Sequence, residues 1–290
     1  STTGLLSDLT GVRECTIDGV LYRMRTRNTM SSGYLKAVRY LEQFYAGLLN
    51  PIPTVRRFYT ANKVQRPQLQ VDFLADKPTK RTLFLTSHVD STVGRPKVEA
   101  LDAPGADDDG TGTVAPMLIF ATLADLREAG VPININVRGV HFGSEEQQLL
   151  GSKQYVAELK NETGIEVVGQ LQLEMMGYDG DGSRRVDLHD DEDQNGSHAL
   201  VESLMRSATA HGFDLGIRDL HVFNPYRPSD HRPFLAAGYR AVCISEDSSD
   251  HGVNHNMHTI GDTIDKLDMA YFVDVARFCG AGVIDLAMAG

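Results

Sequence analysis

Basic residues are scarce in this chain. Its 290 residues hold 28 Lys and Arg against 39 Asp and Glu, a net charge of −11. Nucleic-acid binders neutralise phosphates with basic patches, so this balance argues against a nucleic-acid partner. It argues equally against a polybasic membrane surface. Long apolar runs are missing too. The best candidates, 113–123 and 281–289, fall short of the ~20 residues of a membrane span. Cysteine is rare: Cys15, Cys243 and Cys279 form no CxxC pair and no zinc-ribbon spacing, and permit at most one disulfide among them. Also absent are a GxSxG elbow, a P-loop, an HExxH pair and a GxGxxG turn. Serine hydrolases, P-loop NTPases, thermolysin-type zincins and Rossmann dehydrogenases lose their usual sequence support. No repeat, low-complexity tract or linker divides residues 1–290, which read as one domain. A chain of this length can bury roughly three quarters of its unfolded surface without disulfide staples.

What is present is alternation of two periodicities. Leu35, Val38, Leu41, Tyr45 and Leu48 recur at helical spacing over 33–48, with Ser31 and Ser32 as caps. Further helices are expected over 112–129, 151–159, 197–211 and 268–288. Strands are expected over 68–74, 82–86, 133–142, 167–173 and 239–244, several of them nearly continuous apolar runs of the kind buried in parallel sheets. Strands alternating with helices predict an α/β fold, three layers with a mostly parallel mixed central sheet. Ligands of such sheets sit beyond the carboxyl ends of the strands, and the polar residues cluster there. His88 follows the second strand, Ser144, Glu145 and Glu146 the third, and Glu174 the fourth.

Five signals carry chemistry, each with a bland alternative. In His88-Val89-Asp90 the two polar side chains point the same way in extended backbone, as when a carboxylate steadies a metal-bound imidazole; a strand-end His beside a turn is the alternative. Asp107-Asp108-Asp109 repel one another unless cations, helix amides or water intervene. They precede a helix start, which also welcomes negative charge, so a capped loop is the rival. Glu145-Glu146 suits one metal ligand beside one general base, or a plain exposed pair. Glu174, amid apolar neighbours, is costly to bury unless paired or metal-bound. Of His251, His255 and His258, the last, beside the entry to the final helix, is the best ligand candidate. Taken together, His, Asp, Glu, Glu and His on one rim are nitrogen and oxygen ligands that suit zinc, with cobalt or manganese as alternatives. Five ligands with a bridging carboxylate exceed one tetrahedral site and suit two ions about 3.5–4 Å apart. Residues 190–193 are expected to be a solvated loop, and Ser229-Asp230 a helix cap.

These segments resemble the M28 zinc aminopeptidases, in particular small secreted bacterial leucine aminopeptidases. The likeness runs over His88-Val89-Asp90-Ser91-Thr92, the stretch from Ala103 to Asp109, Ser144-Glu145-Glu146, Leu171-Gln172-Leu173-Glu174-Met175, Ser229-Asp230-His231 and His258-Thr259 with Asp262-Thr263. It extends from about residue 25 to the end. The resemblance implies a zinc-exopeptidase-like fold and a co-catalytic dizinc aminopeptidase acting through a metal-bridging water. His88 and Glu174 would bind one ion and Glu146 and His258 the other, with Asp108 bridging. Glu145 would be the general base, Asp90 would orient His88, and Tyr226 would stabilise the oxyanion. It further implies peptide substrates with a free N-terminus, a monomer, and a secreted or periplasmic location. Two departures matter. The family usually has Asp where Glu174 stands, and some relatives bracket the tyrosine with a disulfide where this chain has Phe223 and Arg227. The rivals are a single-zinc glutaminyl cyclase, against which the absence of Trp counts, a carboxypeptidase on the same scaffold, and a non-catalytic binding domain.

Overall fold

A computed structural model describes residues 1–94, 100–221, 228–249 and 252–289. In chain order the elements are α1 (Thr2–Leu9), β1 (Cys15–Ile17), β2 (Val20–Tyr22), α2 (Ser32–Ala46), β3 (Thr54–Ala61), β4 (Val64–Phe73), β5 (Arg81–His88), α3 (Gly112–Glu128), β6 (Asn136–Phe142), α4 (Leu150–Leu159), β7 (Glu166–Glu174), β8 (Arg185–His189), α5 (His198–His211), β9 (Gly216–Leu220), α6 (His231–Ala236), β10 (Ala241–Glu246) and α7 (Met269–Ala289). Beside the short β1–β2 hairpin, eight strands form one mixed sheet in the order β3-β4-β6-β5-β7-β10-β8-β9. Its centre, β6-β5-β7-β10, is parallel.

Strand alternation sends neighbouring side chains to opposite faces. On β5, Leu83 and Leu85 join the larger core with α2, α3, α5 and α7. Phe84 faces the other way and packs with Phe142, Tyr155 and Phe234 beneath α4 and α6. Helices on both faces make the three layers, as expected from the alternating pattern. All three cysteines are buried, and no disulfide forms among them. No helix among the described residues is long and apolar enough to cross a membrane.

The expected elements are present with ends shifted by a few residues. Ser31 caps α2, its hydroxyl accepting from the Tyr34 amide, and Gly212 ends α5 in the left-handed region. Unforeseen were β1, β2, β3, β8, β9 and the short helices α1 and α6. The two parallel neighbours of β5 matter most. They bring the carboxyl ends of β5, β6 and β7 side by side, so that His88, Glu174 and the residues just after Phe142 share one rim.

Candidate metal centre

The rim is held together by backbone and carboxylates. Between β5 and α3 the chain passes through 106–111, a helical turn broken at Asp108 and Asp109. Gly105 enters it with φ +52°, and a Cβ there would stand 2.4 Å from the Asp108 carbonyl oxygen and 2.6 Å from Ser91 Cβ. Only glycine fits that approach. The three aspartates then divide the work. Asp109 is wholly buried and ties strand ends to the helix, accepting from the His88, Gly112 and Met175 amides at 3.0–3.1 Å. Asp107 accepts from the Gly177 amide and Asn254 Nδ2, both at 2.9 Å. Asp108 alone aims into the site, and its own amide is held by Asp262 Oδ2 at 3.1 Å.

Asp108 stands between two histidines. Its Oδ1 is 3.2 Å from His88 Nε2, and its Oδ2 is 3.0 Å from His258 Nε2. Glu174 Oε1 lies 3.3 Å from His88 Nε2 on one side, and Glu146 Oε2 lies 3.0 Å from His258 Nε2 on the other. Two sets of three ligand atoms result, His88–Asp108–Glu174 and Asp108–Glu146–His258, and within each set the atoms lie no more than 4.8 Å apart. The donors are imidazole nitrogen and carboxylate oxygen without thiolate, a set suited to zinc and similar ions. Glu146 Oε1 is buried without a hydrogen-bond partner, which is costly unless a cation meets it. The residues present therefore fit a metal.

Electrostatics point the same way. For the protein atoms alone, burial and then Asp108 push Glu146 up to about 7 against the pull of His258. Burial, Glu174 and Glu146 hold the Glu145 carboxyl far above the usual range. Burial also works to raise Asp108, but the bonds from His258 and His88 win and hold it low. His258 is drawn up to about 11 by its bonds to Asp108 and Glu146. Carboxylates this crowded leave unbalanced negative charge that a cation offsets.

Asp90 is fully buried, and its carboxylate accepts from the Glu145 and Glu146 amides at 3.2 and 3.4 Å and from Thr29 Oγ1 at 3.2 Å. It meets His88 Nδ1 through its backbone carbonyl at 3.1 Å, with the nearer carboxylate oxygen at 3.5 Å. Glu174 is steadied by Ser229 Oγ at 2.6 Å and Gln172 Nε2 at 3.3 Å.

Other residues had no readable signal. Arg27 is completely buried, and its guanidinium donates to the Val89, Leu9, Pro104 and Gly105 carbonyls at 2.7–2.9 Å. It braces the Gly105 entry to the aspartate turn and lies near Asp262, Asp109, Asp108 and Asp90 as a fixed positive charge. Two expectations need correction. Ser229 and Asp230 do not cap α6 with their side chains; Ser229 serves Glu174, and Asp230 takes the Ser152 hydroxyl. Residues 190–193 are not a solvated loop throughout, because Asp190 and Asp191 are buried. Of their partners, His198 lies eight residues from Asp190, whereas His221, His231 and Arg232 come from distant sequence. Tyr226, Phe223, Arg227 and His251 lie outside the described residues.

A cavity of about 300 Å³ opens over the two ligand sets, lined by Asp108, Glu145, Glu146, Glu174 and His258. Its lining also mixes Leu149, Met175, Cys243 and Met257 with His189 and Ser245.

Fold and site together define an α/β protein with a buried carboxylate–histidine centre at the carboxyl ends of its parallel strands. The chain belongs to peptidase family M28, whose model matches residues 70–282. Leucine aminopeptidase 1 of Paracoccidioides brasiliensis is 28% identical over 228 residues, 76% of this chain and 56% of the relative. The chain thus spans a little over half the length of that relative. The LapA aminopeptidase of Legionella pneumophila superposes with a TM-score of 0.77 at 18% identity, covering 99% of this chain and 71% of the other. A glutaminyl cyclase of Fimbriiglobus ruber superposes at 0.72 with 20% identity, covering 97% and 93%. At these identities the two structures speak to the fold alone.

Proposed function

We propose that residues 1–290 are a catalytic domain that removes the N-terminal residue from peptides, with two zinc ions held by His88, Asp108 and Glu174 and by Asp108, Glu146 and His258. The observation that carries this reading is the position of Asp108, one oxygen toward each histidine, with Glu145 beside it on the cavity wall. Bound zinc would polarise the scissile carbonyl and lower the pKa of water.

The chain's own groups do the rest. Glu145 takes the proton of the attacking water on its carboxylate and returns it to the leaving amine. Asp90, by gripping the Glu145 and Glu146 amides, keeps the base and the ligand in fixed relation. The carboxylates around the cavity attract the substrate's cationic amino group. Tyr226 remains our candidate for the oxyanion. The mixed lining of the cavity favours a medium-sized apolar N-terminal side chain over a charged one.

Paired hydrolysis of leucine p-nitroanilide and its N-acetyl counterpart, with and without chelator, tests this. Cleavage of the free amine alone, lost on chelation and restored by zinc, is expected. Cleavage of the acetylated substrate would refute the account of amine recognition. A single zinc at the central site, with cyclisation of N-terminal glutamine, would replace the reading with the cyclase.

A further inference from the structure

At the sheet edge formed by β8 and β9, four side chains outside both ligand sets converge. Asp190 is the first residue beyond β8, His221 the first beyond β9, Asp219 lies within β9, and His198 opens α5. The parallel register pairs His189 with Leu220, so Asp190 and His221 leave adjacent strand ends together. Four ligand atoms, one from each residue, lie within 4.8 Å of one another. His198 Nδ1 and His221 Nδ1 stand 3.0 and 2.9 Å from the same Oδ2 of Asp190, and Asp219 Oδ2 is 3.7 Å from His198 Nδ1. Tetrahedral bonds of ~2.0–2.1 Å give ligand–ligand edges of about 3.3–3.4 Å, and the observed separations straddle that value.

The cluster is built, not a chance surface encounter. Asp190 is fully buried. Its other oxygen is occupied by the Asp193 amide at 3.2 Å, which turns Oδ2 to the imidazoles. The Asp193 carboxylate holds the His198 amide at 2.8 Å, fixing the start of α5. Both rings, with centroids 5.3 Å apart, turn Nδ1 to one carboxylate oxygen, and a second carboxylate, Asp219, stands beside His198 Nδ1. A cation fits this convergence, because it replaces both Nδ1 protons and sets one charge centre between two carboxylates. Two imidazoles with two carboxylates suit a borderline transition ion, whereas calcium and magnesium prefer all-oxygen shells.

We propose that Asp190, His198, Asp219 and His221 form a further zinc site, which pins the edge strand β9 and the start of α5 to β8. His198 is 35% and His221 53% exposed at the side chain, so this ion exchanges with solvent.

The test is zinc content by plasma mass spectrometry after equilibration of the full chain at matched free zinc. Wild type is compared with His198→Ala/His221→Ala and with Asp108→Asn. The expected result is the loss of one zinc equivalent in the double histidine variant, while Asp108→Asn keeps that equivalent. Equal zinc content in wild type and the double variant, both folded by circular dichroism, would overturn the proposal. Should the double variant fail to fold, His221→Ala alone decides by the same criterion, since its half-exposed ring carries little packing.

Discussion

The two halves of the central site use the same residue types on unequal supports. His88 ends the middle strand of the sheet, and its side chain is 1% exposed. Its amide is tied to Asp109, its carbonyl to Thr113 Oγ1 at 2.8 Å and its Nδ1 to the Asp90 carbonyl. His258 sits on a loop with φ +58° and is 40% exposed. Its backbone carbonyl takes the Gly94 amide at 3.0 Å, and its ring depends on Asp108 and Glu146. On the proposed reading, a ligand at a buried strand end is oriented before any ion arrives. A ligand on an exposed loop owes its position largely to the charges it meets. We therefore expect chelation to proceed in two phases, the His258 side first.

The largest expected effect belongs to the residue both halves share as a neighbour. Glu145→Gln should lower kcat/KM by about 10²–10⁴, the usual worth of a general base, with zinc content unchanged. A drop below tenfold would remove Glu145 from proton transfer.

Next comes the asymmetry itself. His88→Ala strands Asp108 and Glu174 at a buried site and should destabilise the metal-free protein by about 3–5 kcal/mol, read from urea unfolding. His258→Ala should cost far less stability, because water reaches that side. Equal losses would break the comparison.

Asp262→Asn weakens the grip on the Asp107 and Asp108 amides. A loss of about 10–100-fold in zinc affinity or activity is expected, as for other groups that orient ligands. Isothermal titration with zinc against the wild type would show it.

A further effect concerns pH. Burial pushes Asp230 up to about 8, well above an unfolded aspartate near 3.9. The folded state then holds a proton that the unfolded state releases, so this contribution is complete below about pH 4 and is lost as pH rises toward 8. Metal-free protein should lose stability across that window, at most ~1.4 kcal/mol per pH unit for one proton. The slope should flatten in Asp230→Asn, and an unaltered Tm-against-pH curve would refute the assignment.

Least is expected from Glu174→Asp. The shorter side chain should forfeit the bonds from Ser229 and Gln172 and shift zinc affinity on the His88 side by less than tenfold. Unchanged activity and metal content would mean that the extra methylene tunes nothing.

Much of the centre was legible because buried parallel strands announce themselves. The apolar runs ending at His88 and Glu174 located two strand ends, and Glu145-Glu146 followed a third. Their pairing as β6-β5-β7 was not legible, since register is a long-range property. Strands β3 and β9, at the two edges of the sheet, and the five-residue β8 beside β9 went unseen because charged residues such as Arg56, Arg57, Arg185 and Arg218 break their apolar pattern. Asp190 and Asp191 resembled a solvated loop because, His198 apart, the side chains that close over them, His221, His231 and Arg232, are far along the chain. The roles of Asp107 and Asp109 were equally hidden, since adjacent carboxylates differ only in which amides they meet.

The sequence by itself determined the residue types at the rim, the α/β alternation and the resemblance to the M28 peptidases. These rest on local periodicity and short spacings, which the chain carries wherever it folds. The tertiary structure decided which aspartate faces the site, that Asp90 grips the glutamate pair, and that Arg27 and Asp262 brace the turn from 77 and 155 residues away, respectively. Such assignments follow from burial and hydrogen-bond satisfaction, and both exist only once distant segments have packed.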